Sequence, residues 1–215
     1  MNLELFDPPA LEGTVALGRH ALVLRGLALP WVEDLMPALQ ALERESPFRN
    51  MTTRGGHTMS VALTSCGELG WVSDRRGYRY ASIDPDTGRP WPVMPDAFRR
   101  LARHAADQAG LGPFEPDACL VNRYAPGSRM GLHQDSNEKD RGAPIVSVSL
   151  GIPAVFLFGG FRRGDKAQRV PLFHGDVVVW GGDDRMRFHG VLPLKPAEHP
   201  LLGPCRINLT FRKAG

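Results

Sequence analysis

The chain has 215 residues, of which 42% are hydrophobic, and its formal net charge is +3. That length and apolar content suffice for one domain with its own core. No apolar run approaches the roughly 20 residues of a membrane-spanning helix, and the first residues lack the basic and apolar segments of a secretory signal. The three cysteines are far apart, which is typical of a reducing compartment. We therefore expect a cytoplasmic protein without membrane contact.

The first half of the chain predicts helices and loops around a few strands. Its predicted elements are an irregular lead-in at 1–19, a strand at 20–27, a helix at 30–46, a strand at 57–67, a loop at 71–95 and a helix at 95–110. Periodic apolar residues indicate both helices. Pro95 in the first turn and Gly110 after the last turn delimit the second one.

The second half changes to short runs rich in Val, Ile and Phe, separated by Gly, Pro and Asp. Such a density of short strands favours a sandwich or barrel, with a jelly roll among the choices. We therefore predict an α+β chain that is mainly β, with a β core over about 117–212 and the helices packed around it.

A histidine and an aspartate lie two residues apart in the stretch LHQDSNE, residues 132–138. In an extended segment residues i and i+2 point to the same side, so His133 and Asp135 can reach one metal ion. An imidazole nitrogen and a carboxylate oxygen are both good ligands for a divalent metal. Because turns also favour such residues, the pair alone leaves an ordinary polar turn open.

A later histidine extends this pair. His189 lies in another β-rich run, where a barrel can return it to the side of Asp135. Two histidines and one carboxylate form the facial triad of non-haem iron(II) oxygenases, which leaves coordination positions open for co-substrate and oxygen. Taken alone, His189 equally fits a strand histidine that is hydrogen-bonded to the main chain.

Two arginines alternate with apolar residues in the last strand-like run, RINLTFR at 206–212. Burying Arg206 and Arg212 without an anionic partner is unfavourable, and a carboxylate suits the arginine fork. Asn122 and Tyr124 share one face of an earlier run and can hydrogen-bond the same small acid. The alternative is a solvent-facing edge strand that carries protective charges.

The ordered set of motifs resembles the AlkB family. The motifs are NRYAPG (122–127), LHQD (132–135), VSVSLG (146–151), HGDVVVWGG (174–182), RFHG (187–190) and RINLTFR (206–212). AlkB proteins are Fe(II)- and 2-oxoglutarate-dependent dioxygenases that oxidatively demethylate alkylated nucleic-acid bases. The resemblance covers nearly the whole chain. It implies a single dioxygenase domain over 1–215, with N-terminal helices and a substrate-recognition lid over about 1–116. A double-stranded β-helix (jelly-roll) catalytic core is implied over about 117–215.

The same resemblance implies the ligands of the cofactor and co-substrates. It places Fe(II) on His133, Asp135 and His189, with O2 as the second co-substrate. It implies that 2-oxoglutarate is held by Arg206 at the distal carboxylate, by Arg212 beside the metal-chelating carboxylate, and by Asn122, Tyr124 and Asn208 through hydrogen bonds. The implied reaction converts 2-oxoglutarate to succinate and CO2. The N-methyl group of a base such as 1-methyladenine or 3-methylcytosine is released as formaldehyde.

The resemblance also implies a nucleic-acid interface. The expected substrate is alkylated DNA, with RNA left open. A base within a duplex must be flipped out or supplied single-stranded, so we expect single strands to be preferred. Nothing in the sequence calls for a partner subunit, and we expect a monomer. Trp71 is implied to stack on the base and Tyr78 to contact a phosphate. Five arginines could contact backbone phosphates, and the resemblance implies that Arg163 is the best of them; the others are Arg75, Arg76, Arg79 and Arg162. The remaining residues at family substrate positions are Asn137, Thr53, Met59 and Ser147.

Two residues depart from the family pattern. Asn137 stands where the bacterial prototype has an acidic residue, and His57 stands where a tyrosine is usual. An amide at position 137 lacks the negative charge that favours cationic 1-methyladenine. We therefore predict weaker repair of 1-methyladenine relative to 3-methylcytosine.

Two other functions are compatible with parts of the pattern. One is a dioxygenase of the same chemistry that acts on a protein, a lipid or a metabolite. The basic aromatic stretch at 71–80 argues against this substrate class. The other is a non-enzymatic nucleic-acid-binding module, which has no need for a triad together with two co-substrate arginines.

Overall fold

The computed structural model describes residues 13–215, which form a layered β structure with two α-helices. The helices are α1 (Val32–Glu45) and α2 (Asp96–Gln108), with short 3-10 helices at Leu29–Trp31 and Gly182–Asp184. The strands are β1 (Gly13–Ala16), β2 (Ala21–Arg25), β3 (Ala62–Gly67), β4 (Gly70–Asp74), β5 (Gly77–Ala81), β6 (Ala118–Tyr124), β7 (Met130–His133), β8 (Ile145–Gly151), β9 (Ala154–Phe158), β10 (Gln168–Leu172), β11 (Val177–Trp180), β12 (His189–Val191) and β13 (Arg206–Arg212).

Most strands belong to two antiparallel sheets. The larger has seven strands in the order β1-β2-β11-β8-β13-β6-β3, and the smaller has four in the order β10-β9-β12-β7. β4 and β5 form a separate two-stranded hairpin. The crossing strand order is that of a double-stranded β-helix, so the predicted α+β, mainly β jelly-roll class is confirmed. β1, β2 and β3 precede residue 117. The large sheet therefore combines strands from both predicted parts of the chain, about 1–116 and about 117–215.

Hydrophobic clusters lie on both faces of the seven-stranded sheet. On one face, Leu35 of α1 and Phe98 of α2 pack with buried residues of the sheet such as Leu209. On the other face, Trp180 of the large sheet packs against Phe156 of the small sheet, with ring centroids 6.1 Å apart. The helices therefore cover the outside of the large sheet, and the space between the two sheets is left for the site.

Each helix buries the side that its sequence spacing predicts. Leu35, Leu39 and Leu42 of α1 are buried, and Pro37 lies inside the helix without ending it. α2 buries an apolar side that begins at Phe98. No helix within residues 13–215 is long and apolar enough to cross a membrane.

Three sequence-based expectations about secondary structure are wrong. Residues 13–16 form β1 and pair with β2, so the irregular lead-in fails there, while its residues 1–12 lie outside the described part of the chain. The loop predicted at 71–95 contains the β4–β5 hairpin. Asp74 stabilises its turn by accepting hydrogen bonds from the Arg76 amide and the Arg79 guanidinium, at 2.8 Å and 2.8–2.9 Å. The predicted strand at 57–67 begins only at Ala62.

β13 lies inside the large sheet, between β8 and β6. All seven of its residues are buried, including Arg206 and Arg212. The alternative of a solvent-facing edge strand is therefore wrong, and both arginines point into an interior that must supply anionic groups.

Candidate active site

Two histidines and an aspartate meet where β7 and β12 pair. His133 ends β7 and lies directly opposite His189, the first residue of β12. Asp135 follows β7, and its carboxylate oxygens lie 3.7 Å from Nε2 of His133 and 3.8 Å from Nε2 of His189. The ligand atoms of the three residues all lie within 4.8 Å of one another. One ion can therefore contact all three side chains.

Main-chain carbonyl groups orient both imidazoles. Nδ1 of His133 lies 2.9 Å from the carbonyl oxygen of Gly131, and Nδ1 of His189 lies 3.1 Å from that of Arg187. When Nδ1 carries the proton and donates it to these carbonyls, each Nε2 keeps a lone pair that faces Asp135. This tautomer is the one that ligates a metal, and such outer hydrogen bonds fix the ring orientation.

Burial and one arginine set the charges of the triad. Arg212 donates from Nε and Nη2 to Oδ2 of Asp135, at 2.9 and 2.7 Å. Burial favours the neutral carboxyl, but the Arg212 guanidinium outweighs it and holds the pKa of Asp135 well below its usual range. Burial, together with the neighbouring His133, lowers the pKa of His189 to about 3. Near neutral pH the site presents an ionised carboxylate and a neutral His189, the forms that bind a divalent cation.

Arg206 lies on the same side of β13 as Arg212 and is almost completely buried, with 1% of its surface exposed. Its Nη2 donates to Oγ of Ser149 at 2.9 Å, and its guanidinium lies 5.1 Å from the ring centroid of Tyr124. Its Nε and Nη1 have no hydrogen-bond partner among residues 13–215. A buried cation with unsatisfied donors is unfavourable, and burial lowers its pKa. This environment suits an anionic ligand such as a carboxylate.

Neutral polar groups surround Arg206. Asn122 and Asn208 are directly opposite on β6 and β13, with Nδ2 of Asn122 3.5 Å from Oδ1 of Asn208. The Oδ1 of Asn122 is buried and has no partner among the described residues. Nδ2 of Asn208 donates a hydrogen bond to Oγ of Ser147 at 2.8 Å. The Tyr124 hydroxyl reaches Sδ of Met130 at 3.8 Å, a weak contact that leaves the hydroxyl available to a ligand.

One cavity of about 560 Å³ joins the triad to Arg206, a volume that suits a small co-substrate and a base. Its walls include the predicted metal and co-substrate residues His133, Asp135, His189, Asn122, Tyr124, Arg206, Asn208 and Arg212. They also include the predicted substrate residues Met59, Trp71, Tyr78, Asn137, Ser147 and Arg163. Thr53 is not in this wall, and its Oγ1 instead accepts a hydrogen bond from the amide of His57 at 3.2 Å.

Comparison with known proteins shows the family to which this chain belongs. The model of the 2OG-Fe(II) oxygenase superfamily matches residues 22–212. The alpha-ketoglutarate-dependent dioxygenase AlkB of Escherichia coli (strain K12) is 53% identical over 214 residues, which are 99% of this chain and 98% of that protein. The chain belongs to the AlkB family of 2OG-Fe(II) oxygenases.

More distant members of the AlkB family agree with the assignment. The DNA N(6)-methyladenine demethylase ALKBH1D of Arabidopsis thaliana is 46% identical over 113 residues, 47% of this chain and 26% of that protein. The solved structure of OsALKBH1 has a TM-score of 0.83 at 32% identity and covers 94% of this chain and 100% of that one. The predicted dioxygenase class is confirmed, together with Fe(II), 2-oxoglutarate and O2 as cofactor and co-substrates.

In this AlkB-family chain, the β4–β5 hairpin forms one wall of the cavity. Trp71 of β4 and Tyr78 of β5 stack with ring centroids 5.5 Å apart and an interplanar angle of 14°. Asn137 lies beside them, with Nδ2 3.5 Å from the carbonyl oxygen of Tyr78. On another wall, Arg163 donates to the carbonyl oxygen of Leu132 and lies over the ring of Phe188. Aromatic and cationic side chains therefore line these walls of the cavity.

Arginines that the sequence offered as phosphate contacts differ in their availability. Arg79 makes a two-point ion pair with Asp74, and the Arg76 guanidinium contacts the same carboxylate at 3.4 Å. Their charge is partly neutralised within the hairpin. Arg163 lines the cavity and forms no ion pair with a carboxylate within residues 13–215.

The sequence reasoning missed three residues that support the triad. Glu138, Arg185 and Tyr80 form hydrogen bonds to one another or to Asp135, and none of them lines the cavity. Glu138 follows Asn137 in a polar stretch that resembles a surface loop, so its burial has no local signal.

Proposed function

We propose that this protein repairs N-alkylated bases in DNA by oxidative demethylation. Bases of the 1-methyladenine and 3-methylcytosine type lose the methyl group as formaldehyde, while 2-oxoglutarate is converted to succinate and CO2. The observation that carries this proposal is a single cavity. It joins a two-histidine, one-carboxylate triad to a buried arginine with unsatisfied donors and to an aromatic wall.

The metal ligands in this proposal are His133, Asp135 and His189. Their donor set is the facial triad that suits Fe(II) and leaves positions for co-substrate and oxygen. When bound, iron and 2-oxoglutarate supply the oxidising chemistry, and the protein must position the reacting groups and exclude side reactions. The role of Asp135 is to stay ionised, which Arg212 ensures by its two hydrogen bonds.

The co-substrate ligands are the groups around Arg206. A distal carboxylate of 2-oxoglutarate would satisfy the Nε and Nη1 donors of Arg206 that have no partner among residues 13–215. Tyr124 offers a hydroxyl, and Asn122 and Asn208 offer amide groups, on the same wall. Arg212 also lines the cavity beside the triad, so it would lie near a carboxylate that chelates the metal.

The alkylated base enters from the side of the β4–β5 hairpin. Stacking on an aromatic ring contributes about 1–3 kcal/mol per base, and Trp71 offers such a ring in the cavity wall. Tyr78 and Arg163 contact the phosphates in this proposal, which the 48% exposure of Tyr78 and the position of both residues in the cavity wall support. Met59 and Ser147 complete the wall around the base. Thr53 belongs to the neighbouring turn and acts on the substrate only from outside this wall.

Single-stranded DNA is the preferred form of the substrate in this proposal. Flipping a base out of a duplex costs a few kcal/mol, which a single strand does not require. The Arabidopsis relative ALKBH1D is named for a DNA substrate, and RNA remains a second polymer to test. The cavity is formed by residues of one chain, which supports a monomer, and the free cysteines fit a cytoplasmic protein.

Asn137 is proposed to set the choice of base. It lines the cavity and carries no charge, so it gives cationic 1-methyladenine no electrostatic advantage. The protein therefore prefers 3-methylcytosine to a greater degree than a relative with a carboxylate at this position. His57 lies on the exposed turn with Thr53 and adds no group to the cavity wall.

The proposal is tested by a mass-spectrometric screen of methylated oligonucleotides with Fe(II), ascorbate and 2-oxoglutarate. Single-stranded DNA, duplex DNA and RNA that carry the same lesion are compared, and formaldehyde is measured against succinate. We expect one formaldehyde per succinate with single-stranded 3-methylcytosine. Succinate without formaldehyde on every oligonucleotide would instead favour a dioxygenase with another substrate. Failure to bind Fe(II) would favour a non-enzymatic binding module.

A further inference from the structure

A buried cluster of charges lies behind the triad, and two of its members, Glu138 and Arg185, do not line the cavity. Glu138 and Arg185 form an ion pair with Oε2 and Nη2 3.2 Å apart, and their side chains are 2% and 3% exposed. Oε1 of Glu138 lies 3.4 Å from Nε of Arg212, which is itself paired with Asp135. Two guanidinium groups thus share two carboxylates in the interior. Each carboxylate compensates a buried cation, so neither is replaceable without leaving a charge unpaired.

The two arginines hold the metal ligand Asp135 at different atoms. Arg212 binds its side chain through Oδ2. Arg185 binds its main chain, since Nη1 donates to the carbonyl oxygen of Asp135 at 2.8 Å and Nε donates to that of Ala143 at 3.2 Å. Glu138 joins the two guanidinium groups. The position of the Asp135 carboxylate is therefore fixed through Glu138, although Glu138 does not contact it.

Tyr80 connects this cluster to the hairpin. Its hydroxyl donates to Oε1 of Glu138 at 2.8 Å. Tyr80 lies on β5 directly opposite Trp71 of β4, and Trp71 stacks on Tyr78 at the cavity wall. A continuous path of hydrogen bonds and strand pairing thus runs from the proposed base-binding wall to the metal ligand.

We propose that Glu138 and Tyr80 are positioning residues of the iron site. Glu138 holds Arg185 and Arg212 so that they fix Asp135 at its main chain and its carboxylate, and Tyr80 ties this arrangement to the hairpin. The inference rests on the proposed function only in that the triad binds Fe(II). It assigns Glu138 a role different from that of Asn137, which lines the cavity, while Glu138 does not.

The test is anaerobic titration of Fe(II) into metal-free protein with saturating 2-oxoglutarate, followed by the absorbance of the iron–keto acid chelate. Removal of an outer partner of a metal ligand typically weakens metal affinity 10–100-fold. We expect about a 10-fold loss for Glu138→Gln, and a smaller loss of about threefold for Tyr80→Phe, which acts one contact further away. Because Tyr80 acts through Glu138, the double variant should match Glu138→Gln alone.

The matched control is Asp176→Asn. Asp176 is a buried carboxylate paired with Arg25 at 2.5 Å, and neither residue lines the cavity. Loss of the Asp176 carboxylate should lower the melting temperature of the protein without changing its Fe(II) affinity. If Glu138→Gln lowers the melting temperature in the same way and keeps the wild-type Fe(II) affinity, the positioning role is overturned.

Two further outcomes keep the result decisive. If Glu138→Gln does not fold, Tyr80→Phe decides, and wild-type Fe(II) affinity in that variant overturns the proposal. Additive losses in the double variant overturn the role of Tyr80 as a link through Glu138. The titration contains no nucleic acid, so a wild-type protein that binds Fe(II) but releases no formaldehyde contradicts the proposed function alone.

Discussion

Replacing Arg206 by methionine should weaken co-substrate binding at least about 100-fold without unfolding the protein. Arg206 is 1% exposed, and its Nη2 donates a hydrogen bond to Oγ of Ser149 at 2.9 Å. The substitution removes a buried charge and fills a similar volume. Removing that charge offsets the loss of one hydrogen bond, about 1 kcal/mol. We therefore expect the ligand-free variant to unfold within a few degrees of the wild type.

The effect on 2-oxoglutarate follows from the two unsatisfied donors, Nε and Nη1 of Arg206. A hydrogen bond to a charged group contributes about 1.5–3 kcal/mol, so losing two weakens binding at least about 100-fold. At 100 times the wild-type Kd, 2-oxoglutarate stabilises the wild type by about 2.7 kcal/mol. For a chain of this size that raises Tm by about 5–10 °C. The variant should gain only about 1 °C under the same conditions.

The assay is thermal unfolding by calorimetry in the presence of Mn(II), with and without 2-oxoglutarate. Arg25→Met is the matched control, because Arg25 is a buried arginine that pairs with Asp176 away from the cavity. Breaking that pair should destabilise the protein by about 3–5 kcal/mol but leave the ligand-induced shift intact. An undiminished shift in the variant Arg206→Met would refute the assignment of Arg206 as the carboxylate receptor.

Further predictions concern the base, the metal and the hairpin. Trp71→Ala should raise the KM for methylated oligonucleotide about 5–100-fold through lost stacking, with the Kd for 2-oxoglutarate unchanged in the same preparation. Asn137→Asp should raise kcat/KM for 1-methyladenine relative to 3-methylcytosine by about 3–10-fold, and an unchanged ratio removes Asn137 as the selector. His133→Ala should abolish formaldehyde release yet keep oligonucleotide affinity within about threefold in fluorescence anisotropy, because phosphate contacts supply most of that affinity. Burial of Asp84 opposes its ionisation, but the hydrogen bonds that it accepts from Arg49 outweigh this effect and lower its pKa. Because the pKa of Asp84 is lower in the folded than in the unfolded protein, its ionisation stabilises the fold above the ordinary aspartate pKa near 4. This stabilisation is lost as the pH falls through the folded-state pKa. Urea midpoints between pH 2 and 6 should therefore fall less steeply with acid in Asp84→Asn than in the wild type.

The residues of the site were easier to predict from the sequence than their contacts. His133, Asp135 and His189 have the residue types and the i, i+2 spacing that metal binding requires, and the family motifs supplied their partners. Arg212 was expected beside the metal-chelating carboxylate of the co-substrate. The structure shows two hydrogen bonds from Arg212 to Asp135 that the sequence did not indicate, and the guanidinium also lines the cavity. A motif gives the position of such a side chain, whereas its partners depend on how the strands pack.

The elements that the sequence missed are those whose stability comes from distant or unusual contacts. β1 has four exposed residues and no apolar alternation, so only its pairing with β2 makes it a strand. The β4–β5 hairpin has a Gly77 with a φ of +109° and a turn held by Asp74, in a segment whose arginines and prolines suggested a loop. Periodicity detects strands that bury one face of a sheet, and neither of these does so in a regular way.

The same reasoning explains why Glu138 was not recognised while Asn137 was. Asn137 stands at a position that faces the cavity, so its neutral side chain raised a question of substrate choice. Glu138 is 4% exposed and lies between Arg185 and Arg212, which come from distant parts of the sequence. The burial of Glu138 therefore depends on contacts that only the folded chain brings together. Asp135 and Asn137 line the cavity, whereas Glu138 lies outside its wall and acts on Asp135 through the two arginines.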